Sequence, residues 1–382
     1  MRWRNLQSVV CCMAALSVLL AVSIASYAAE IPQGIIVIGW DGAERDAVKR
    51  LLAAGDLPNL AALAKDGAMV DVDIITGATE TAPGFAQVLT GYVPDKIGVR
   101  TDKVYRPIPR GYTVFERLKR HFGLGNIQTA AIIAKTSYYL SEDRPFRVSY
   151  DAWREVQIQK KKLDDNRPGP DDLQGATVVK ENDEKFVEMQ GGPYLNAKDD
   201  IDTFVNGLIT NEKVMAAAVN QVQKCKDARF FIFVQFIQPD RNGHKYGEDS
   251  PEYLDGIKSD DLAIGAIIDK LKALNIYDKT LIYVSADHGF DIGKKSHKYA
   301  PYIFLATNDK RVGRSGARED LAPTVLKRFG LDLSRIDPPL DGIPLDEPAP
   351  ERKAPAEKPT NSTDTQAPQE SQPEAVEVGA AK

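Results

Sequence analysis

The chain predicts an α/β fold with a mainly parallel central sheet, and three observations carry that expectation. Apolar runs of strand length recur between residues 35 and 345, amphipathic stretches of helical length separate them, and several of the runs have no polar interruption. A strand without a polar face must be buried on both sides, as in a parallel sheet covered by helices.

The elements follow in order. IIVIGW (35–40) is a continuous apolar run and reads as a buried strand. A helical stretch covers about 44–54 and closes at Gly55, and PNLAALAKDG supplies a shorter one. MVDVDI (69–74) alternates like a strand with one exposed face. Residues 83–90 read as a short helix ended by Gly91, with Thr81 at or next to its N-cap. TAAIIA (129–134), FFIFVQFI (230–237) and TLIYVSA (280–286) are further strands. Long amphipathic helices fit 251–274, with Tyr253, Ile257, Ile264, Ile267, Ile268 and Leu271 on one side, and 318–329. Between about 141 and 198 this rhythm breaks into a segment rich in Asp, Lys, Arg, Gln and Gly, which reads as an inserted subdomain or lid.

Both ends fall outside the domain, which is expected to span 31–345. The basic start MRWR, an uncharged apolar run over 9–25 and small residues near Ala28 make 1–28 a secretory signal peptide. The alternative, an uncleaved anchor, is disfavoured because the run is short for a membrane span. Without that segment no membrane span is expected. Cys11 and Cys12 lie inside it, leaving Cys225 alone and no internal disulfide. Export without a disulfide fits a periplasmic setting better than eukaryotic secretion. Residues 346–382 contain no Leu, Ile or aromatic side chain, so this Pro/Glu/Ala-rich tail is expected to be disordered. The net charge of −5 and the scattered cations give no electrostatic footprint for nucleic acid.

The function-bearing pattern lies just beyond the strands. IIVIGW runs into Asp41, FFIFVQFIQP into Asp240, TLIYVSA into Asp287, and TAAIIA into Lys135. Ligands of open α/β sheets bind beyond the carboxyl ends of the strands. One such Asp is usually a turn or cap residue. Three are harder to read that way when histidines follow: His244 four residues after Asp240, His288 next to Asp287, and His297 in the same loop. Carboxylates with imidazoles suit Zn²⁺, with Mn²⁺ or another divalent ion as alternatives. The fourth histidine, His121, reads as a cation near a helix C-terminus. Thr81 is open to two readings: a plain helix cap, or a hydroxyl nucleophile activated at a helix N-terminus.

Taken as an ordered set, GWDGA, LPNLAALAKDGA, TAPGFAQVLTG with PDKIGV, PDRNGH, ADHG, and DLAPTVLKRFGLDL with DGIPL resemble the alkaline phosphatase superfamily. The resemblance is to its type I phosphodiesterase/nucleotide pyrophosphatase, phosphonoacetate-hydrolase-like branch. It implies an alkaline-phosphatase-like three-layer sandwich of sulfatase-like fold. It further implies two divalent metal ions, usually zinc: one held by Asp41, Thr81, Asp287 and His288, the other by Asp240, His244 and His297. Thr81 is then the nucleophile, forming a phospho-threonine that water hydrolyses.

Three departures from the pattern bear on substrate. Formylglycine sulfatases need Cys or Ser at position 81 and Arg at 85, whereas this chain has Thr81 and Phe85. An Asn that serves the phosphoryl group in related enzymes corresponds here to Asp102, whose ionised form donates no hydrogen bond. Asp102 is then protonated or turned away, or Arg100 or Lys103 takes its place. Lys135 resembles a substrate-facing lysine of some branches but lacks their second cation, Ser137 standing there instead; an exposed strand-end lysine is the alternative. The expectation is an exported phosphoesterase acting on a small phosphate ester or nucleotide-like molecule, with a lean to diesters. Monoesterase, phosphonate hydrolase and another sulfatase-like anionic-ester hydrolase are the enzymatic alternatives. A weakly active metal-containing binding protein is the non-enzymatic one.

Overall fold

The computed structural model describes residues 31–102, 104–135, 146–163, 176–189 and 191–349. The expected signal segment, Lys103, Ser137 and the tail beyond Ala349 lie outside the described residues. The strands of the larger sheet are β1 (Gly34–Trp40), β2 (Ala68–Asp73), β3 (Gln128–Ile133), β7 (Thr203–Val205), β8 (Phe230–Phe236), β9 (Thr280–Ser285), β10 (Tyr302–Thr307) and β11 (Gly316–Ala317). A smaller sheet holds β4 (Phe146–Ser149), β5 (Ala176–Glu181) and β6 (Glu184–Met189). The helices named below are α1 (Arg45–Ala54), α2 (Pro58–Asp66), α3 (Thr81–Thr90), α4 (Val114–Phe122), α5 (Tyr150–Leu163), α6 (Asn211–Cys225), α7 (Gln238–Tyr246), α8 (Pro251–Ala273) and α9 (Leu321–Arg328).

The strand order of the larger sheet is β11-β2-β10-β9-β1-β8-β3-β7. From β9 to β7 every neighbouring pair is parallel, while β10 runs antiparallel to both β9 and β2. β1 and β8 are buried along their whole length, which is why their sequences show no polar alternation. Phe230, Phe231, Phe233 and Phe236 are among the largest fully buried side chains. Each such burial contributes roughly 1.5–3 kcal/mol. α8 packs against α2, α6 and α7, and α9 packs against α3 and α4.

The helix termini have local causes. Ser250 accepts from Tyr253 N–H at 3.1 Å, and Pro251 takes the first position of α8, where a missing N–H costs nothing. Thr113 and Glu116 form a capping box at the start of α4, whose far end carries the exposed His121. α6 has its buried residues at Asn211, Val214, Ala218, Gln221, Val222 and Cys225, a stripe of mixed polarity that carries little sequence signal.

Within the segment that breaks the rhythm, the described residues of β4, β6 and β5 make a three-stranded antiparallel sheet, joined to α5. The β5–β6 hairpin turns at Asn182 and Asp183, both with positive φ, as a two-residue hairpin requires. At the other end, packing of the domain extends past the expected boundary at Leu345. Arg328 Nη1 lies 3.0 Å from Asp346 Oδ2, and Lys327 Nζ lies 2.6 Å from Glu347 Oε1.

Candidate active site

The parallel register places four charged strand ends side by side. β9, β1, β8 and β3 are consecutive in the sheet, and beyond their carboxyl ends stand Asp287, Asp41, Asp240 and Lys135. Residues as distant in sequence as Asp41 and Asp287 meet because each strand ends on the same edge. Backbone bonds tie the ends together, Asp240 N–H donating to Asp41 O at 2.9 Å. Gly42, with φ of +73°, keeps that approach open, since a Cβ there would lie 2.9 Å from Asp240 Cα.

Three imidazoles are oriented alike. The Nδ1 atoms of His244, His288 and His297 lie 3.0, 2.9 and 2.5 Å from the carbonyl oxygens of Lys295, Gly289 and Thr79. A carbonyl only accepts, so each Nδ1 carries a proton, and in the neutral ring Nε2 then presents a lone pair. His244 Nε2 and His297 Nε2 are 3.1 Å apart and face Asp240 Oδ1, which is 3.3 and 3.9 Å away. His288 Nε2 lies 3.4 Å from Asp287 Oδ2 and 3.6 Å from Asp41 Oδ1.

The donor set fits divalent cations. Asp41 Oδ1, Asp240 Oδ1, Asp287 Oδ2 and His288 Nε2 are buried and have no hydrogen-bond partner among the described residues, a costly arrangement unless a cation takes them up. Among the described residues, two ligand groups lie within coordination reach: Asp240, His244 and His297; and Asp41, Asp240 and His288. Asp240 thus reaches both groups, whereas the family resemblance gave it to one. Burial lowers the pKa of His288 and of His297, keeping both imidazoles in the neutral form that binds metal. Burial, reinforced by Asp287, pushes Asp41 well above the ordinary carboxylate range. Asp240 is also buried, but the charge of the Lys135 ammonium holds it well below that range.

Lys135 is not an exposed strand-end residue. Its side chain is 13% exposed, and Nζ lies 2.6 Å from Thr81 Oγ1 and 3.0 Å from Oδ2 of both Asp41 and Asp240. It takes the Oδ2 atoms and leaves the unpartnered Oδ1 atoms to the cation sites.

Thr81 is the first residue of α3, and its side chain does not cap the helix; Glu80 is the N-cap and makes no side-chain bond to it. Asp102 supplies that function instead, its Oδ1 accepting from Ala82 N–H at 2.7 Å, while its own N–H donates to Glu80. Asp102 is therefore turned onto the helix start, and burial raises its pKa. Arg100 does not replace it, being paired with Asp95 at the surface. Thr81, Asp102, Lys135, Asp240, Arg241, His244 and His297 line an open cleft of about 380 Å³. Phe85 points away from this cleft into the core against Phe233.

Supporting residues with weaker sequence signals complete the site. Gln235, buried in β8, donates to Asp41 Oδ2 at 2.6 Å. Asp291 accepts from Ser296 Oγ, Lys298 N–H and Tyr299 N–H and so shapes the loop bearing His297. A lone Gln inside an apolar strand does not announce the first, and an Asp in a polar loop marks the second only as turn chemistry.

The sequence pattern of the type I phosphodiesterase / nucleotide pyrophosphatase family matches residues 35–331. The chain belongs to that family. It is 21% identical to the Homo sapiens bis(5'-adenosyl)-triphosphatase ENPP4 over 68% of this chain and 48% of that protein. It is 30% identical to Homo sapiens ectonucleotide pyrophosphatase/phosphodiesterase family member 1 over 28% of this chain and 11% of that protein. The chain thus spans about half the length of the ENPP4 relatives. Among solved structures, a protein in the alkaline phosphatase superfamily from Vibrio parahaemolyticus superposes with a TM-score of 0.51. That match has 16% identity and covers 84% of this chain and 71% of that one. The fold is that of the alkaline phosphatase superfamily, with the mainly parallel central sheet the sequence predicts.

Proposed function

We propose that this protein is a metal-dependent phosphoric ester hydrolase that favours phosphodiesters and uses Thr81 as nucleophile. The observation that carries this reading is the Thr81 hydroxyl at the start of α3, 2.6 Å from the Lys135 ammonium and beside the unpartnered ligand atoms. Asp240, His244 and His297 would hold one divalent ion, and Asp41, Asp287 and His288, with Thr81, a second; zinc suits this donor set best. Such ions would supply Lewis-acid stabilisation of charge on the nucleophile and the phosphoryl oxygens.

The chain's own groups do the rest. Lys135 donates to Thr81 Oγ1 and stabilises its alkoxide form, the hydroxyl proton leaving to solvent in the open cleft. Thr81 Oγ1 forms a bond to phosphorus as the bond to the leaving oxygen breaks, and that oxygen takes up a proton. Water then cleaves the phospho-threonine and returns the hydroxyl. Asp102 occupies the Ala82 N–H that would otherwise face an incoming oxygen, and its carboxylate disfavours a dianionic monoester. This supports the diester preference. The bis(5'-adenosyl)-triphosphatase activity that names the ENPP4 relatives adds nucleotide phosphoanhydrides to the candidate substrates. Export is proposed from the N-terminal sequence, and among the described residues no helix is long and apolar enough to cross a membrane.

The test uses the purified full chain loaded with zinc and assayed on p-nitrophenyl phosphate, its bis-ester, a phosphonate monoester and the sulfate. The bis-ester is expected to turn over fastest, and Thr81→Ala to abolish turnover. Unchanged turnover by Thr81→Ala would refute the mechanism, and sulfate as best substrate would overturn the substrate class. A monoester or phosphonate optimum would overturn the diester preference alone.

A further inference from the structure

Arg318 lies just before α9 and is 1% exposed, behind the site rather than in its cleft. Its Nε donates to Gln87 Oε1 at 2.9 Å. Nη1 donates to Asp287 O at 2.7 Å and Ala78 O at 3.2 Å. Nη2 donates to Thr76 O and Ala78 O, each at 3.2 Å, and also to Gln87 Oε1. Gln87 is held in turn, its Nε2 donating to Thr76 Oγ1 at 2.8 Å.

These acceptors are three backbone carbonyls and one amide, drawn from three separate parts of the chain. Thr76 and Ala78 belong to the loop that delivers Thr81, Gln87 is on the inner face of α3, and Asp287 follows the end of β9. Loop carbonyls buried without donors would each be costly. A guanidinium presents five N–H groups in one rigid plane, so a single side chain can serve all four acceptors. A lysine ammonium has three donors and no plane. The buried cation is bonded to the Asp287 carbonyl and not to its carboxylate, which is left to the cation site.

We infer that Arg318 is a positioning residue that locks the Thr81 loop and helix α3 to the Asp287 strand end, setting nucleophile against cation ligands. The inference rests on the assignment of Thr81 and Asp287 above, but not on which ester is hydrolysed. Its physical content is that small misplacements between reacting groups cost large factors in rate. It also follows that outer residues orienting metal ligands change metal affinity.

The test compares the full-length wild type with Arg318→Lys, which keeps the charge and loses the fork. Three measurements are made: Zn²⁺ affinity by chelator competition, hydrogen exchange of residues 76–82 and 286–289 in the metal-free protein, and kcat and KM on the bis-ester. The expected result is Zn²⁺ affinity weakened about 10- to 100-fold. Exchange should quicken in those two segments while β1 and β8 stay protected, and kcat should fall about 100-fold with KM little changed. If Arg318→Lys does not accumulate as folded protein, Gln87→Met removes one of the acceptors and should give the same pattern at smaller size. Unchanged Zn²⁺ affinity and segment exchange in a folded variant overturn the inference, as does quickened exchange spread evenly over the whole sheet. Should no ester in the panel be turned over by the wild type, the functional reading fails, while the affinity and exchange measurements still decide the role of Arg318.

Discussion

The ammonium of Lys135 stands 2.6 Å from the Thr81 hydroxyl oxygen and 3.0 Å from a carboxylate oxygen of each of Asp41 and Asp240. One cation therefore holds the Thr81 hydroxyl and offsets two of three clustered acids. Replacing it with Met leaves those acids buried with less compensation. Metal-free Lys135→Met is expected to lose about 3 kcal/mol of stability, the scale of breaking a buried pair. Added zinc should narrow that gap, because the ion supplies the missing charge. Calorimetry with and without zinc checks this; equal losses in both conditions contradict it. On the bis-ester, kcat should fall roughly 100-fold.

Asp102→Asn keeps an oxygen to accept from Ala82 N–H and removes the negative charge from the cleft wall. Turnover of p-nitrophenyl phosphate is expected to rise by about tenfold relative to the bis-ester, the size of one modest charge effect. The ratio of kcat/KM for the two substrates is the measurement. A ratio that stays put means that Asp102 does not set charge preference.

Gly84 faces Asp287 so closely that a Cβ at position 84 would lie 2.6 Å from Asp287 Cβ and 2.9 Å from its carbonyl oxygen. Both are rigid neighbours. Gly84→Ala should move α3 off the strand end, costing about 1–3 kcal/mol and weakening zinc binding and kcat together. Wild-type kcat in a folded Gly84→Ala protein would show that α3 has slack.

Glu44 caps α1, accepting from Ala47 N–H at 2.8 Å, and burial raises its pKa to about 7. The folded state thus binds its proton more tightly than the unfolded chain does. This contribution is fully present below the unfolded value of 4.5 and is lost as pH rises through about 7. Glu44→Gln keeps the acceptor and removes the titration. Wild type should lose on the order of 1–3 kcal/mol relative to Glu44→Gln as pH rises from the unfolded carboxyl value to above the folded one. Paired denaturant titrations across that range measure it, and a difference that grows with pH in favour of wild type has the wrong sign.

Much of this site was legible in the chain because its parts are local. A buried parallel strand announces itself as an unbroken apolar run, as 35–40 and 230–234 do. The residues just past such runs, Asp41, Asp240 and Asp287 with His288, can then be placed at one sheet edge without knowing any contact. The matching family pattern runs through those same residues. Fainter elements escaped. α6 buries a stripe that mixes Ala, Val, Asn and Gln and so resembles many solvated helices. β10 follows β9 through the loop 286–301, which carries Asp287, His288 and His297 and no crossover helix, and returns antiparallel beside it.

The sequence by itself therefore determined which residue types stand at the strand ends, and hence the α/β class and the donor set. Only the tertiary structure decided the direction of each side chain once there. Lys135 turns inward onto Thr81, Asp102 turns onto Ala82, and Arg318 reaches three segments at once. These depend on partners 20 to 242 residues away, brought close by the common register of parallel strands. No local pattern of hydrophobicity encodes such contacts, because they are hydrogen bonds and charge pairs between residues far apart in sequence.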